Sequence, residues 1–138
     1  MPENLDKTMN YKEDHTGIII SNLTRSVKWY VNYFGFKEIK RFDKPELEIK
    51  GATLQLNSYF LELIEPRIKQ NRDNKEEPLE KLLQKVNTSH IALSTDNIQK
   101  SYLNLEENKV KMVTKIIENK FFFIKDPDGV LIEIRKNK

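Results

Sequence analysis

The chain has 138 residues, the size of one ordinary domain, and its 38% hydrophobic and 33% charged residues read as globular rather than disordered. Its 24 basic and 21 acidic residues are interspersed and leave a net charge of +3, which argues against a nucleic-acid arm. There is no cysteine, which excludes a disulfide framework, a thiolate metal site and a cysteine nucleophile, and no apolar run approaches the roughly 20 residues of a membrane span.

Residues 1–14 are polar, lack an apolar signal core and are expected to form a flexible tail on a cytoplasmic protein. From His15 the chain reads as a short apolar strand, a polar turn and a helix (HTGIIISNLTRSVKWY). Ser21 or Asn22 suits the N-cap, because its side-chain oxygen can accept from an orphan backbone N–H. Val27, Tyr30, Val31 and Phe34 follow helical spacing, and Gly35 suits the stop. Extended segments are expected over 37–42, 47–56 and 59–65, closing a first module over 15–66. A linker over 67–87 is rich in charge and amide groups, and within it PLEKLLQKV (78–86) predicts a short helix with proline in its first turn.

The second module, 88–138, repeats the first. With His15 laid over His90, Ser21 falls on Asp96, Asn22 on Asn97, Leu23 on Ile98, Arg25 on Lys100 and Ser26 on Ser101. Ile98, Tyr102 and Leu105 mark the buried face of its helix. Strands are expected over 111–117, 120–125 and 130–135, the last two joined as a hairpin by Asp126-Pro127-Asp128-Gly129. The order is therefore βαβββ twice, an α+β fold.

Four polar residues stand out against this pattern. Glu62 lies in FLELI and Glu133 in LIEI, on the last strand of each copy. Strand alternation points Glu62 with Phe60 and Ile64, and Glu133 with Leu131. A carboxylate among apolar neighbours is costly unless its charge is compensated, and a cation would do this. The only two histidines, His15 and His90, open the first strands of the two copies, a coincidence that random placement would seldom produce. Two His and two Glu at equivalent positions of a repeat are best explained as ligands to one divalent cation. Imidazole and carboxylate donors suit Ni, Co, Mn, Fe or Zn without choosing between them. Such an ion can leave positions for substrate oxygens and act as a Lewis acid.

These residues carry a resemblance. HTGIIISNLTRSVKWYVNYFGFK, YFLELIEP, SHIALSTDN and IKDPDGVLIEI, in this order and spacing, resemble the vicinal oxygen chelate superfamily of glyoxalases, bleomycin-resistance proteins and extradiol dioxygenases. The resemblance implies two paired βαβββ modules whose curved mixed sheets enclose a metal-binding cleft, and it makes His15, Glu62, His90 and Glu133 the ligands. The set His, Glu, His, Glu is similar to that of metal-dependent glyoxalase I, a lyase or isomerase that removes a proton next to a carbonyl through an enediolate. Glu133 is then the expected base, with Glu62 as its partner. The pattern also departs from the glutathione-using enzymes. Ile19 stands where they have Arg, Pro66 stands where they have Asn, and residues 113–119 replace their glycine-rich loop. The thiol co-substrate therefore stays open.

LELIEP and GVLIEI also resemble methylmalonyl-CoA epimerase, in which Glu46 would be a further base and Arg67, Lys69 and Arg72 the candidates for CoA phosphates. An extradiol dioxygenase, using His15, His90 and Glu133, and a non-catalytic drug-binding resistance protein are the remaining alternatives. Phe60, Phe121, Phe123 and Leu54, with Leu56, are expected to form an apolar substrate wall. A small-molecule substrate and a homodimer are the expected partners, with Trp29, Tyr30 and Tyr33 as candidate interface residues.

Overall fold

The computed structural model describes residues 9–70 and 76–138; most of the expected tail, and Arg72 in the linker, lie outside them. The chain divides into two compact units, Met1–Arg67 and Ile68–Lys138. Among the described residues, no helix is long and apolar enough to cross a membrane.

Unit 1 runs β1 (Thr16–Ile19), α1 (Leu23–Phe34), β2 (Lys37–Lys44), β3 (Ile49–Leu56) and β4 (Tyr59–Pro66). Helix α1 begins where Asn22 accepts from the Arg25 amide, and it ends at Gly35, whose φ of 78° is left-handed and whose N–H reaches Val31. The carboxylate of Glu65, near the end of β4, accepts from the Leu23 amide at 2.7 Å and so ties the helix start to the sheet. The strands form one mixed sheet in the order β1-β4-β3-β2, with β1 parallel to β4 and the other pairs antiparallel. Helix α1 packs on β3 and β4 and buries Leu23, Val27 and Tyr30, and on those strands Leu54, Leu61 and Leu63 are fully buried. Each of those leucines contributes about 1.5–3 kcal/mol by leaving water.

Unit 2 runs α2 (Leu79–Leu82), β5 (His90–Thr95), α3 (Ile98–Glu107), β6 (Lys111–Met112), β7 (Phe121–Lys125) and β8 (Leu131–Lys136). Its sheet order, β5-β8-β7-β6, is the same permutation as in unit 1. Asn97 caps α3 as Asn22 caps α1, accepting from the Lys100 amide. The core is Ile91, Ile98, Leu105, Phe122, Ile124, Ile132 and Ile134. Asp126 accepts from the amides of Asp128 and Val130, which closes the expected hairpin turn.

Three elements differ from the expected ones. The strand expected from residue 47 begins at Ile49, because Pro45–Leu47 forms a 3₁₀ turn and Glu48 takes a left-handed φ of 55°. The helix expected over 78–86 is only Leu79–Leu82; none of its residues is buried, and Leu83 and Val86 are exposed, so no packed face extends it. The strand expected over 111–117 ends at Met112. There the amides of Val113 and Thr114 both donate to the Phe123 carbonyl, and the chain leaves the ladder. It returns through a tight turn at Glu118 and Asn119, both with positive φ.

Candidate metal centre

Strand β1 runs parallel to β4 with Gly17 opposite Glu62. One residue further back on this ladder, His15 falls opposite Phe60, two positions before Glu62. In unit 2, Ala92 stands opposite Glu133 and His90 opposite Leu131, again two positions before the glutamate. Small residues, Gly17 and Ala92, stand opposite the two carboxylates, and each histidine reaches its glutamate diagonally across the parallel pair. Nε2 of His15 is 3.1 Å from Oε2 of Glu62, and Nε2 of His90 is 3.1 Å from Oε1 of Glu133. The repeat read in the sequence is thus a repeat in register and in side-chain geometry. Among the described residues, no three or more His, Cys, Asp and Glu side chains are gathered as a ready metal-binding group. The structure assembles two pairs, one in each unit.

The two pairs have different surroundings. His15 Nδ1 is 2.6 Å from Oδ2 of Asp14. Asp14 raises the His15 pKa above its ordinary value through this hydrogen bond, burial opposes the rise, and the Glu62 charge adds to it. Opposite Glu62, on β3, stands Thr53, with a buried hydroxyl that has no partner among the described residues. Glu133 is more deeply set, its side chain 9% exposed against 24% for Glu62. Its second oxygen accepts from the Arg135 guanidinium, which also lies over the Phe121 ring. Phe123 stands opposite Glu133 and meets the His90 ring edge-on at 5.4 Å.

His15 and Glu62 line a cleft of about 430 Å³ within unit 1, together with Glu13, Asp14, Ile39, Lys40, Thr53, Ser58 and Phe60. Of the expected apolar wall, Phe60 lines this cleft, and Phe121 and Phe123 share the Glu133 face of β7 and β8. Leu54 does not belong to the wall. It stands opposite Leu61, and both are fully buried in the core, because strand alternation puts Thr53 and Gln55 on the Glu62 face instead. Glu46 lies exposed on the 3₁₀ turn, beyond the Ile49–Pro66 end of the sheet. Four residues of strand, roughly 13 Å, separate Ile49 from Thr53 at the level of Glu62, so Glu46 is not brought to the His15–Glu62 pair. Trp29, Tyr30 and Tyr33 form a cluster of edge-on rings on α1, with Tyr30 fully buried.

Asp14, Lys40, Thr53 and Arg135 were not read from the sequence as part of the site. Two signals were present: Asp14 precedes His15, and Arg135 shares the Glu133 face by strand alternation. Thr53 and Lys40 needed the register of β2 and β3.

The residues fit a divalent cation on donor chemistry and spacing. Each pair offers imidazole nitrogen and carboxylate oxygen. A gap of 3.1 Å is close to the edge between neighbouring ligands that each lie about 2.1 Å from one ion. Asp14 on the far nitrogen of His15 and Arg135 on the far oxygen of Glu133 are the kind of outer contacts that orient such ligands.

Solved structures share this fold. Glyoxalase I from Leishmania major, described as trypanothione-dependent, is 22% identical with a TM-score of 0.71, over 92% of this chain and 87% of that one. A glyoxalase family protein from Enterococcus faecalis is 25% identical with a TM-score of 0.68, over 92% and 99%. A mutant of the fosfomycin resistance protein FosX from Listeria monocytogenes, complexed with Mn(II) and 1S,2S-dihydroxypropylphosphonic acid, is 17% identical with a TM-score of 0.68, over 94% and 95%. No curated protein matches the chain. A family model for the glyoxalase/bleomycin resistance protein/dioxygenase superfamily matches residues 12–134, and with this match, the doubled module and the two His–Glu pairs, the chain belongs to that superfamily.

Proposed function

We propose that this protein is a divalent-metal-dependent lyase or isomerase of the glyoxalase I type, acting on a small molecule by moving a proton next to a carbonyl. The observation that carries this reading is the pair of His–Glu contacts, each 3.1 Å long and at the same register in both units. His15, Glu62, His90 and Glu133 would supply the ligands. The cation would act as a Lewis acid that polarises the substrate carbonyl. A glutamate carboxylate beside the substrate can accept the proton and return it to the neighbouring carbon. Glu133, held by His90 and Arg135, and Glu62, open to the cleft, are the two candidates. Phe60, Phe121 and Phe123 would exclude water from the reacting carbon. Glu46, exposed on the 3₁₀ turn, receives no role in this reading.

Calorimetric titration of the metal-free protein with Mn, Co, Ni, Fe and Zn tests this reading. One ion per chain, with affinity lowered more than about 100-fold in His90→Ala and in Glu133→Gln, is expected; that exceeds the loss typical of outer contacts. Two ions per chain would mean that each pair binds alone. No binding by any of the five would refute the proposal. With the best ion, Glu133→Gln should lose turnover of hemithioacetals while keeping the fold.

A further inference from the structure

One row of the unit 1 sheet carries polar chemistry from edge to edge. Lys40 on β2 stands opposite Thr53 on β3, Thr53 opposite Glu62 on β4, and Glu62 opposite Gly17 on β1. Neighbouring strands lie about 4.8 Å apart, so the Lys40 backbone is roughly 10 Å from that of Glu62, and the lysine stem spans much of this distance. The ladder slips between Glu38 and Lys40. Regular alternation would send Ile39 and Lys40 to opposite faces, whereas this bulge places both on the wall of the cleft.

Lys40 forms no ion pair among the described residues, although Glu13, Asp14 and Glu62 line the same cleft; its neighbour Arg41 is paired with Glu38. Thr53 is 8% exposed, and its buried hydroxyl has no hydrogen-bond partner among the described residues. Leaving such a group unsatisfied is unfavourable. The row therefore holds a free ammonium and an unused hydroxyl donor next to the His15–Glu62 pair. The equivalent row of unit 2 shares the carboxylate and the small residue but not this polarity. There Phe123 stands opposite Glu133, and its amide donates to the Thr114 hydroxyl.

We propose that Lys40 and Thr53 form a subsite for an anionic oxygen group on the substrate, a carboxylate or a phosphate. The role as substrate subsite rests on the glyoxalase-type reading, while the anion binding itself depends on unit 1 alone. Both side chains are donors, and a neutral group would leave the ammonium unpaired. The cleft carboxylates disfavour an anion elsewhere on its wall, and a cation held by His15 and Glu62 would offset their charge.

The test is backbone amide NMR on the ¹⁵N-labelled, metal-free chain titrated with acetate, inorganic phosphate and, as a neutral control, acetamide. One or both anions should move the amides of Lys40, Thr53 and Glu62 saturably, and acetamide should not. The anion that saturates first assigns the group as carboxylate or phosphate. Lys40→Met should weaken binding at least about tenfold, because a charge-assisted hydrogen bond is lost. Lys40→Arg should stay within about threefold, because the charge is kept. Lys40→Gln replaces the Met variant if that one loses the dispersed spectrum of the parent. Affinity unchanged in the variant without the charge, shifts confined to another surface, or no saturable shift with either anion would overturn the subsite. If Lys40-dependent binding is found in a chain that takes up no metal, the subsite stands and the glyoxalase-type reading fails. If the metal binds and the anion is indifferent to Lys40, the reverse holds.

Discussion

Asp14 sets the behaviour of His15. Its carboxylate accepts from Nδ1–H, which would leave Nε2, the atom facing Glu62, to ligate a cation in place of a proton. Asp14→Ala should weaken metal binding about tenfold, the low end for an outer contact, because the Asp14 side chain is 89% exposed. Asp14→Asn should recover part of that loss. Proton linkage gives a second readout in the metal-free protein. The folded-state pKa of His15 is raised, so its contribution to stability is fully present below the unfolded value of about 6.5. That contribution is lost as pH rises through the raised value. Thermal unfolding followed across this window should show a fall with pH in the parent chain that is flattened in Asp14→Asn. An identical profile in the two would remove Asp14 from the account.

Among the elements, β3 carries the tightest backbone constraint. A side chain at Gly51 would meet the Leu63 carbonyl and the Phe42 ring, and the carbonyl belongs to the ladder and cannot swing aside. Gly51→Ala should destabilise the fold by about 1–3 kcal/mol, as overpacking does, and a denaturant midpoint equal to that of the parent would contradict this. The same strand shows what periodicity can and cannot give. Alternation correctly placed Glu62 with Phe60 and Ile64, away from buried Leu61 and Leu63. It does not contain the 3₁₀ turn before β3 or the register of β3 on β4, and that register, Leu54 opposite Leu61, puts Leu54 in the core rather than on the substrate wall. The bulge that turns Lys40 into the cleft has no glycine or proline to mark it, and β6 ends after Met112 because two successive amides share the Phe123 carbonyl. Both are consequences of pairing with another strand, which a local pattern does not contain.

At the scale of the whole chain, metal binding and folding should be coupled, because the ligand pairs exist only when β1 and β4, or β5 and β8, are paired. A cation at 100 times its dissociation constant should stabilise the folded chain by about 2.7 kcal/mol and raise the melting temperature, an effect that chelation reverses and that His15→Ala abolishes. A melting temperature indifferent to the cation would contradict the coupling.

The sequence by itself determined the doubled βαβββ order, the polar turn that opens each helix, the core leucines of β4 and the equivalence of His15 with His90 and of Glu62 with Glu133, while the structure chose Asn22 and Asn97 as the caps. Each of these depends on local propensity, on a period of 2 or 3.6, or on comparing one half of the chain with the other. Tertiary structure alone decided that each histidine reaches its own glutamate across a parallel strand pair, that Arg135 engages Glu133, and that Lys40 and Thr53 stand in the row of Glu62. Those contacts are set by interstrand register and by a one-residue bulge, and a slip of one position would send every one of these side chains to the opposite face.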